Sequence, residues 1–160
     1  MGLEIERKFL IKYPSADALC GETWEIEQTY LTAPRGETRR VRRVVCGGVE
    51  RFFFTEKRRI TAVTRIENER EIDRMEYESL LAERDADLCT IEKTRVRIPD
   101  GEHVWEVDLF PFWDDRALLE IELSREDEEF SIPPAFEVIR EVTEDRRYTN
   151  RAIAKQIPND

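Results

Sequence analysis

Apolar and polar residues alternate with a period of two along most of the chain, the pattern of a strand that buries one face. In the first such segment Leu3, Ile5 and Phe9 fall on one side, and Glu4, Glu6 and Lys8 on the other. The alternation predicts eight strands, over residues 3–11, 22–31, 38–46, 49–57, 63–72, 88–98, 103–110 and 117–124. Short connections between them favour antiparallel pairing. Gly47 and Gly48 can take the positive φ of a hairpin turn, and the run Pro99, Asp100, Gly101, Glu102 supplies a second turn.

Helical periodicity is confined to a few places. Asp73 is placed to N-cap a helix over 74–84, with Glu76 completing a capping-box pattern and Tyr77, Leu80 and Leu81 as its apolar stripe. Short helices are expected over 14–19 and from Ser124 towards Pro133. A final helix is expected over 143–156, capped by Thr143, with Ala152, Ile153 and Ile157 turned inward. The fold class is α+β and mainly β: eight antiparallel strands that, if closed, form a β-barrel with a few helices packed outside.

At 160 residues and 40% hydrophobic content, the chain fits one domain over 1–160. Its 39% charged content is high for a folded protein, and the abundance of aromatic and branched apolar residues requires that charge to sit on an ordered scaffold. A net charge of −10 argues against binding nucleic acid or an anionic membrane through long-range attraction. Cys20, Cys46 and Cys89 are widely spaced, which suits neither a disulfide framework nor a zinc site, and Cys46 and Cys89 read as small apolar packing residues. No signal-peptide pattern or ~20-residue apolar span is present, so the expected location is cytoplasmic. Whether the chain forms a homodimer is left open.

The polar faces carry the candidate chemistry. Glu120 with Glu122, Glu106 with Asp108, Arg40 with Arg42, Lys93 with Arg95, and Glu67 with Glu69 and Glu71 each share one side of a strand. A solvated face explains any one of these. It gives no reason for like charges placed side by side on strand after strand. Carboxylates two apart on a strand can converge on Mg²⁺ or Mn²⁺, which prefer oxygen ligands. Arg40, Arg42, Lys57, Lys93 and Arg95 are suited to phosphate oxygens, and in a closed barrel both sets would line the lumen. Arg39 and Arg43 flank the arginine pair, so a one-residue slip would instead turn Arg39, Val41 and Arg43 inward.

The run Glu4-Ile5-Glu6-Arg7-Lys8 resembles the E-x-E-x-K signature of the CYTH proteins, or triphosphate tunnel metalloenzymes. The resemblance continues through Gln28-Thr29-Tyr30-Leu31, Arg40-Val41-Arg42, Lys57, Arg65-Ile66-Glu67-Asn68-Glu69, Glu92-Lys93-Thr94-Arg95, Glu106-Val107-Asp108, Glu120-Ile121-Glu122 and the segment 142–150. It implies a charged eight-stranded tunnel that binds Mg²⁺ or Mn²⁺ and a small-molecule triphosphate. By position it implies metal-side carboxylates at Glu4, Glu6, Asp108, Glu120 and Glu122, with Glu67 and Glu69 at a second metal. It implies phosphate contacts at Lys8, Arg40, Arg42, Lys57, Lys93 and Arg95, and a cap on the tunnel from Arg146 or Arg147.

The reaction so implied is attack of water on a terminal phosphorus, with cations neutralising the transferring group and the leaving pyrophosphate. Lys8 is the candidate general base or water-orienting group, and Tyr30 either hydrogen-bonds Lys8 or serves in packing. His103 reads as a surface residue. The Pro111-Phe112-Trp113 run reads as a loop over the barrel mouth or as a buried anchor. Hydrolysis of inorganic triphosphate is the leading expectation. Alternatives on the same scaffold are a class IV-type adenylate cyclase, a thiamine triphosphatase and, ranked lower, a non-catalytic polyphosphate- or nucleotide-binding module. No glycine-rich phosphate loop is present, which sets aside a P-loop NTPase.

Overall fold

Alternation is realised as strands β1 (Gly2–Lys12), β2 (Glu22–Leu31), β3 (Glu37–Cys46), β4 (Val49–Arg59), β5 (Thr64–Ile72), β6 (Ile91–Asp100), β7 (His103–Leu109) and β8 (Arg116–Glu122) in a computed structural model that describes residues 2–159. Every pairing is antiparallel, in the order β5, β4, β3, β2, β6, β7, β8, β1. The sheet closes because β1 has two partners on opposite sides. Its first residues pair with β5, from Gly2 with Glu67 to Ile5 with Thr64. The remainder pairs with β8, from Glu6 with Glu122 to Lys12 with Arg116. Closure leaves an inward and an outward face on every strand, so parity along the sequence decides which side chains meet in the lumen.

The outward face of β1, β7 and β8 buries Ile5, Phe9, Ile11, Trp105, Val107, Leu119 and Ile121 under Phe136, Phe130, Ile132 and Leu19 from the connecting segments. Helix α1 (Arg74–Leu80) and a 3₁₀ turn at Leu81–Glu83 cover the outside of β3, β4 and β5, packing Tyr77, Leu80 and Leu81 against Leu31, Val41, Phe52 and Phe54. Asp73 caps α1 as expected by accepting from the Glu76 amide at 2.8 Å, while the Glu76 carboxylate turns to Arg70. Hairpin geometry follows the glycines. Gly47 and Gly48 have φ of 56° and 78° between the paired Cys46 and Val49. At the other turn Gly101, with φ of 62°, lies with Glu102 between the paired Asp100 and His103, so Pro99 and Asp100 belong to β6 and the hairpin loop has two residues.

Part of the lumen is apolar. Leu10 follows Lys8 on the inward face of β1, Leu118 precedes Glu120 on β8, and Ile91 precedes Lys93 on β6. These residues pack with Tyr30, Phe110, Trp113, Val142, Tyr148, Ile153 and Ala154. The chain's last segment thus seals one side of the tunnel with hydrocarbon. Trp113 belongs to this seal, so the Phe112-Trp113 loop serves as an anchor.

Several helical expectations fail for local reasons. Residues 143–156 do not form one helix. Thr143 instead accepts from the Lys8 amide at 2.9 Å, which fixes it against β1 and starts the helical structure later. A 3₁₀ turn at Arg146–Tyr148 is capped by Asp145, and α2 (Asn150–Lys155) is capped by Thr149, leaving Ile157 exposed. Residues 14–19 form only a 3₁₀ turn at Ala16–Ala18, and 124–127 form a turn in which the Ser124 amide donates to Glu128. Strand β9 (Val138–Glu141), which pairs with β1, was not foreseen: four residues without alternation carry no local strand signal. Cys89 is exposed and packs in no core. No helix among the described residues is long and apolar enough to cross a membrane.

Leu119 lies on the outward face of β8 with no exposed surface. Leu119→Ala should lower stability by about 2–5 kcal/mol through lost burial and a residual cavity, read as a reduced urea midpoint at unchanged m-value. A shift below about 0.5 kcal/mol would mean that this outer layer does not hold the barrel closed.

Candidate functional site

Inward parity on eight strands builds a cavity of about 680 Å³ lined mainly by ionisable side chains. Glu4, Glu6 and Lys8 come from β1, Arg40 and Arg42 from β3, Lys57 and Arg59 from β4, and Arg65, Glu67 and Glu69 from β5. Arg95, Glu106, Glu120 and Glu122 complete the wall from β6, β7 and β8. The register of β3 is thereby settled. Val41 packs under α1, Arg39 pairs with Glu83 and Arg43 with Glu50, all outside the barrel.

The most buried part of the wall is a closed ionic network. Asp108 takes two bonds from Arg95, Nε at 2.7 Å and Nη2 at 3.0 Å, and one from Lys93 Nζ at 2.9 Å. Burial alone would favour its neutral form, but Arg95 and Lys93 outweigh it and hold its pKa well below the usual carboxylate range. For Arg95, Asp108 and Glu106 likewise overcome burial and raise the pKa. Burial prevails at Lys93 over the attraction of Asp108 and pulls its pKa to about 8. Lys93 also donates to Asn150 Oδ1 at 3.1 Å. Neither Asp108 nor Lys93 reaches the cavity lining. Asp108 is here the counter-ion of two cations, and Lys93 is bound to Asp108 and Asn150 rather than lining this cavity.

Beside this network Lys8 Nζ lies 3.2 Å from Glu120 Oε1 and donates to the Tyr148 carbonyl at 3.1 Å. The backbone of Lys8 is gripped as well, with its carbonyl accepting from the Val142 amide at 2.8 Å. Tyr30 does not meet Lys8. Its hydroxyl accepts from Gln28 Nε2 at 2.7 Å and its ring packs in the apolar seal, which fits the packing alternative.

Across the cavity, carboxylates crowd. Glu6 and Glu122 sit directly opposite each other in the β1–β8 ladder, an arrangement that costs stability unless a cation intervenes. Arg65 Nη1 approaches Glu6 at 3.5 Å and Glu4 at 3.9 Å, and Lys57 Nζ approaches Glu4 at 3.0 Å and Glu67 at 3.6 Å. Burial disfavours the charge of Glu4, yet Lys57 and Arg40 outweigh it and lower its pKa. The Glu122 carboxylate forms no hydrogen bond or ion pair among the described residues. Partial burial, then Glu4, Glu106 and Glu6, raise its pKa. No three acidic, His or Cys groups are drawn together in ligand geometry among the described residues. The oxygen-only donor set of Glu4, Glu6 and Glu122, with one member lacking any cation, is nevertheless the chemistry a hard divalent ion requires.

Basic groups in the same cavity are left unspent. Arg35, Arg40, Arg59 and Arg146 line it and form no ion pair among the described residues. The Nε atoms of Arg40 and Arg42 and the Oε1 of Gln28 are buried without a hydrogen bond. Arg42 pairs with Glu69 at 3.1 Å, and burial and Arg40 pull its pKa to about 10. Of the two arginines expected to cap the tunnel, Arg146 lines the cavity, whereas Arg147 lies outside the lining and pairs with Asp145. His103 contacts Glu128 on the exterior.

Sequence reasoning placed Glu106 on the charged face with Asp108 but gave no role to it or to Arg65, whose parity with Glu67 also turns it inward. Arg59 shared parity with Lys57 but lay beyond the expected end of its strand. Arg35 and Asn150, on a loop and a helix start, gave no local signal.

Fold and lumen together define a closed β-tunnel with opposed acidic and basic walls. No protein-family model matches the chain. It is 36% identical over 162 residues to an inorganic triphosphatase of Nitrosomonas europaea, covering 97% of this chain and 99% of that protein. It is 32% identical over 159 residues to an inorganic triphosphatase of Acetivibrio thermocellus, covering 97% and 95%. The solved structure of the inorganic triphosphatase NE1496 superposes with a TM-score of 0.58 at 32% identity, covering 99% of each chain. The chain belongs to the inorganic triphosphatase family.

Asp108→Asn should cost about 3–5 kcal/mol, because Lys93 and Arg95 lose their shared buried counter-charge. The folded pKa of Asp108 is depressed below the ~3.9 of an unfolded chain. Its contribution is therefore complete above that value and declines as pH falls below it towards the folded pKa. Urea unfolding should show a gap between wild type and variant at pH 7 that narrows below about pH 4. Equal midpoints at pH 7 would deny Asp108 this role.

Proposed function

We propose that the protein is a triphosphate tunnel metalloenzyme of the CYTH type that hydrolyses inorganic triphosphate with the help of Mg²⁺ or Mn²⁺. The observation that carries this reading is that unpaired arginines and an unpaired, crowded carboxylate share one cavity, whereas the buried charges Lys8, Arg42, Lys93, Arg95, Asp108 and Glu120 are all paired. Such a cavity is complete only when it holds an anion and a cation at once. A metal-bound oligophosphate is both.

Arg40 and Arg42 present guanidinium hydrogens without partners and bind phosphate oxygens in forked geometry. Lys57 and Arg95 add positive charge from the adjoining walls. Glu4, Glu6 and Glu122 would hold the divalent ion, with Glu67 and Glu69 available to a second. The bound ion supplies Lewis-acid polarisation of phosphate oxygens and lowers the pKa of water. Water adds to the terminal phosphorus, the anhydride bond breaks, and phosphate and pyrophosphate result. Lys8, held by Glu120 and the Tyr148 carbonyl, presents its ammonium group to the lumen and orients the water or the transferring group. The relatives named inorganic triphosphatase support this substrate.

The test is a panel of inorganic triphosphate, ATP and thiamine triphosphate with Mg²⁺ and with Mn²⁺, assaying phosphate, pyrophosphate and cyclic AMP. Phosphate and pyrophosphate from inorganic triphosphate are expected as the main products, with activity lost on chelation. Glu122→Gln, Arg42→Ala and Lys8→Met should each lower kcat/KM by roughly 10²-fold or more, the usual loss for a charge-stabilising group. Cyclic AMP as the main product, or metal-independent turnover, would overturn the reading.

A further inference from the structure

The ammonium group of Lys93 has three hydrogens to donate. Asp108 Oδ2 lies 2.9 Å from Nζ and Asn150 Oδ1 3.1 Å, and the centre of the Phe110 ring is within cation–π range at 5.9 Å. Only 3% of the residue is exposed. Each of these contacts would have to be given up or shared before Lys93 could touch a ligand. Of its three partners Asn150 alone lines the cavity.

Asn150 opens α2 directly after the capping Thr149, two residues beyond the Tyr148 carbonyl that accepts from Lys8. An ammonium group donates and cannot accept, so the atom of Asn150 that faces it is the amide oxygen. The planar amide then turns its nitrogen away from Lys93. That nitrogen carries two hydrogens, and no described residue accepts them. A cation on the oxygen also polarises the amide and makes its N–H groups stronger donors.

We propose that Asn150 donates its amide hydrogens to a phosphate oxygen of bound triphosphate, and that Lys93 is a positioning residue that acts on the substrate through Asn150. The inference rests on the triphosphate reading of the cavity and adds an uncharged contact to its charged ones. Asp108 holds Lys93, Lys93 holds the amide oxygen of Asn150, and the amide nitrogen is left to the cavity that Lys8 and Arg95 also line. The buried cation thereby serves the site at one remove.

Titration calorimetry of the full chain with inorganic triphosphate in chelator reads this contact without relying on turnover. Asn150→Ala should weaken binding about tenfold, the worth of a hydrogen bond to a charged group. Asn150→Asp keeps an acceptor for Lys93 and puts an acidic group at a helix start, where it is favourable. Its urea midpoint should therefore hold, while triphosphate binding falls at least as far as in Asn150→Ala. Lys93→Met leaves Asp108 its two bonds from Arg95. It should weaken binding roughly fivefold in wild type but less than about twofold in the Asn150→Ala background, the non-additivity of two residues that act as one. Wild-type affinity in Asn150→Ala or in Asn150→Asp would overturn the contact. An equal cost of Lys93→Met in both backgrounds would overturn its action through Asn150. Failure of wild type to bind triphosphate at all would instead overturn the reading of the cavity.

Discussion

Charge taken out of water must be neutralised by other charge, and this requirement shapes the tunnel. Closing eight strands encloses side chains from every one of them, and burying an isolated carboxylate or ammonium costs several kcal/mol. Asp108 meets the requirement for Lys93 and Arg95, Glu120 for Lys8, and Glu69 for Arg42. Where matching stops, at Glu122 and at Arg40, Arg59 and Arg146, the protein keeps its capacity for something from outside. Paired and unpaired charges thus stand side by side on the same walls of the lumen.

The barrel also explains how the walls are held in place. The ladders fix each inward residue against two neighbours, and the outer cores of Trp105, Leu119 and Ile121 and of Val41, Phe52 and Tyr77 hold the strands from outside. The C-terminal segment then binds the lumen from one side. Val142 and Thr143 fasten the backbone of Lys8, the Tyr148 carbonyl accepts from its side chain, and Asn150 reaches Lys93. A segment 135 residues from Lys8 and 57 from Lys93 in sequence therefore sets the position of the most enclosed lysines.

Much of the site was legible because a strand's period is two. Once Glu4 and Glu6 share a face, Lys8 must join them, and the same rule groups Arg40 with Arg42 and Glu120 with Glu122. The rule groups residues without saying how deep each lies. Asp108 and Lys93 have the right parity yet do not line the cavity, because Asp108 faces Arg95 across the β6–β7 ladder and also accepts from Lys93, which lies diagonal to it. Tyr30 has the right parity too, but it lies at the level where the lumen turns apolar, beside Trp113 and Tyr148.

Alternating patterns, glycine turns and the Asp73 cap are local, so the sequence by itself determined the strands, their antiparallel order of hairpins, and which side chains could share a face. Only the tertiary structure decided that β1 pairs with both β5 and β8, that Arg40 and Arg42 rather than Arg39 and Arg43 turn inward, and that Thr143 fastens Lys8 instead of capping a helix. The physical reason is that partner choice depends on contacts between residues far apart in the chain. Parity is written in neighbours, but neutralisation is settled only when the barrel closes and each charge meets what lies across the lumen.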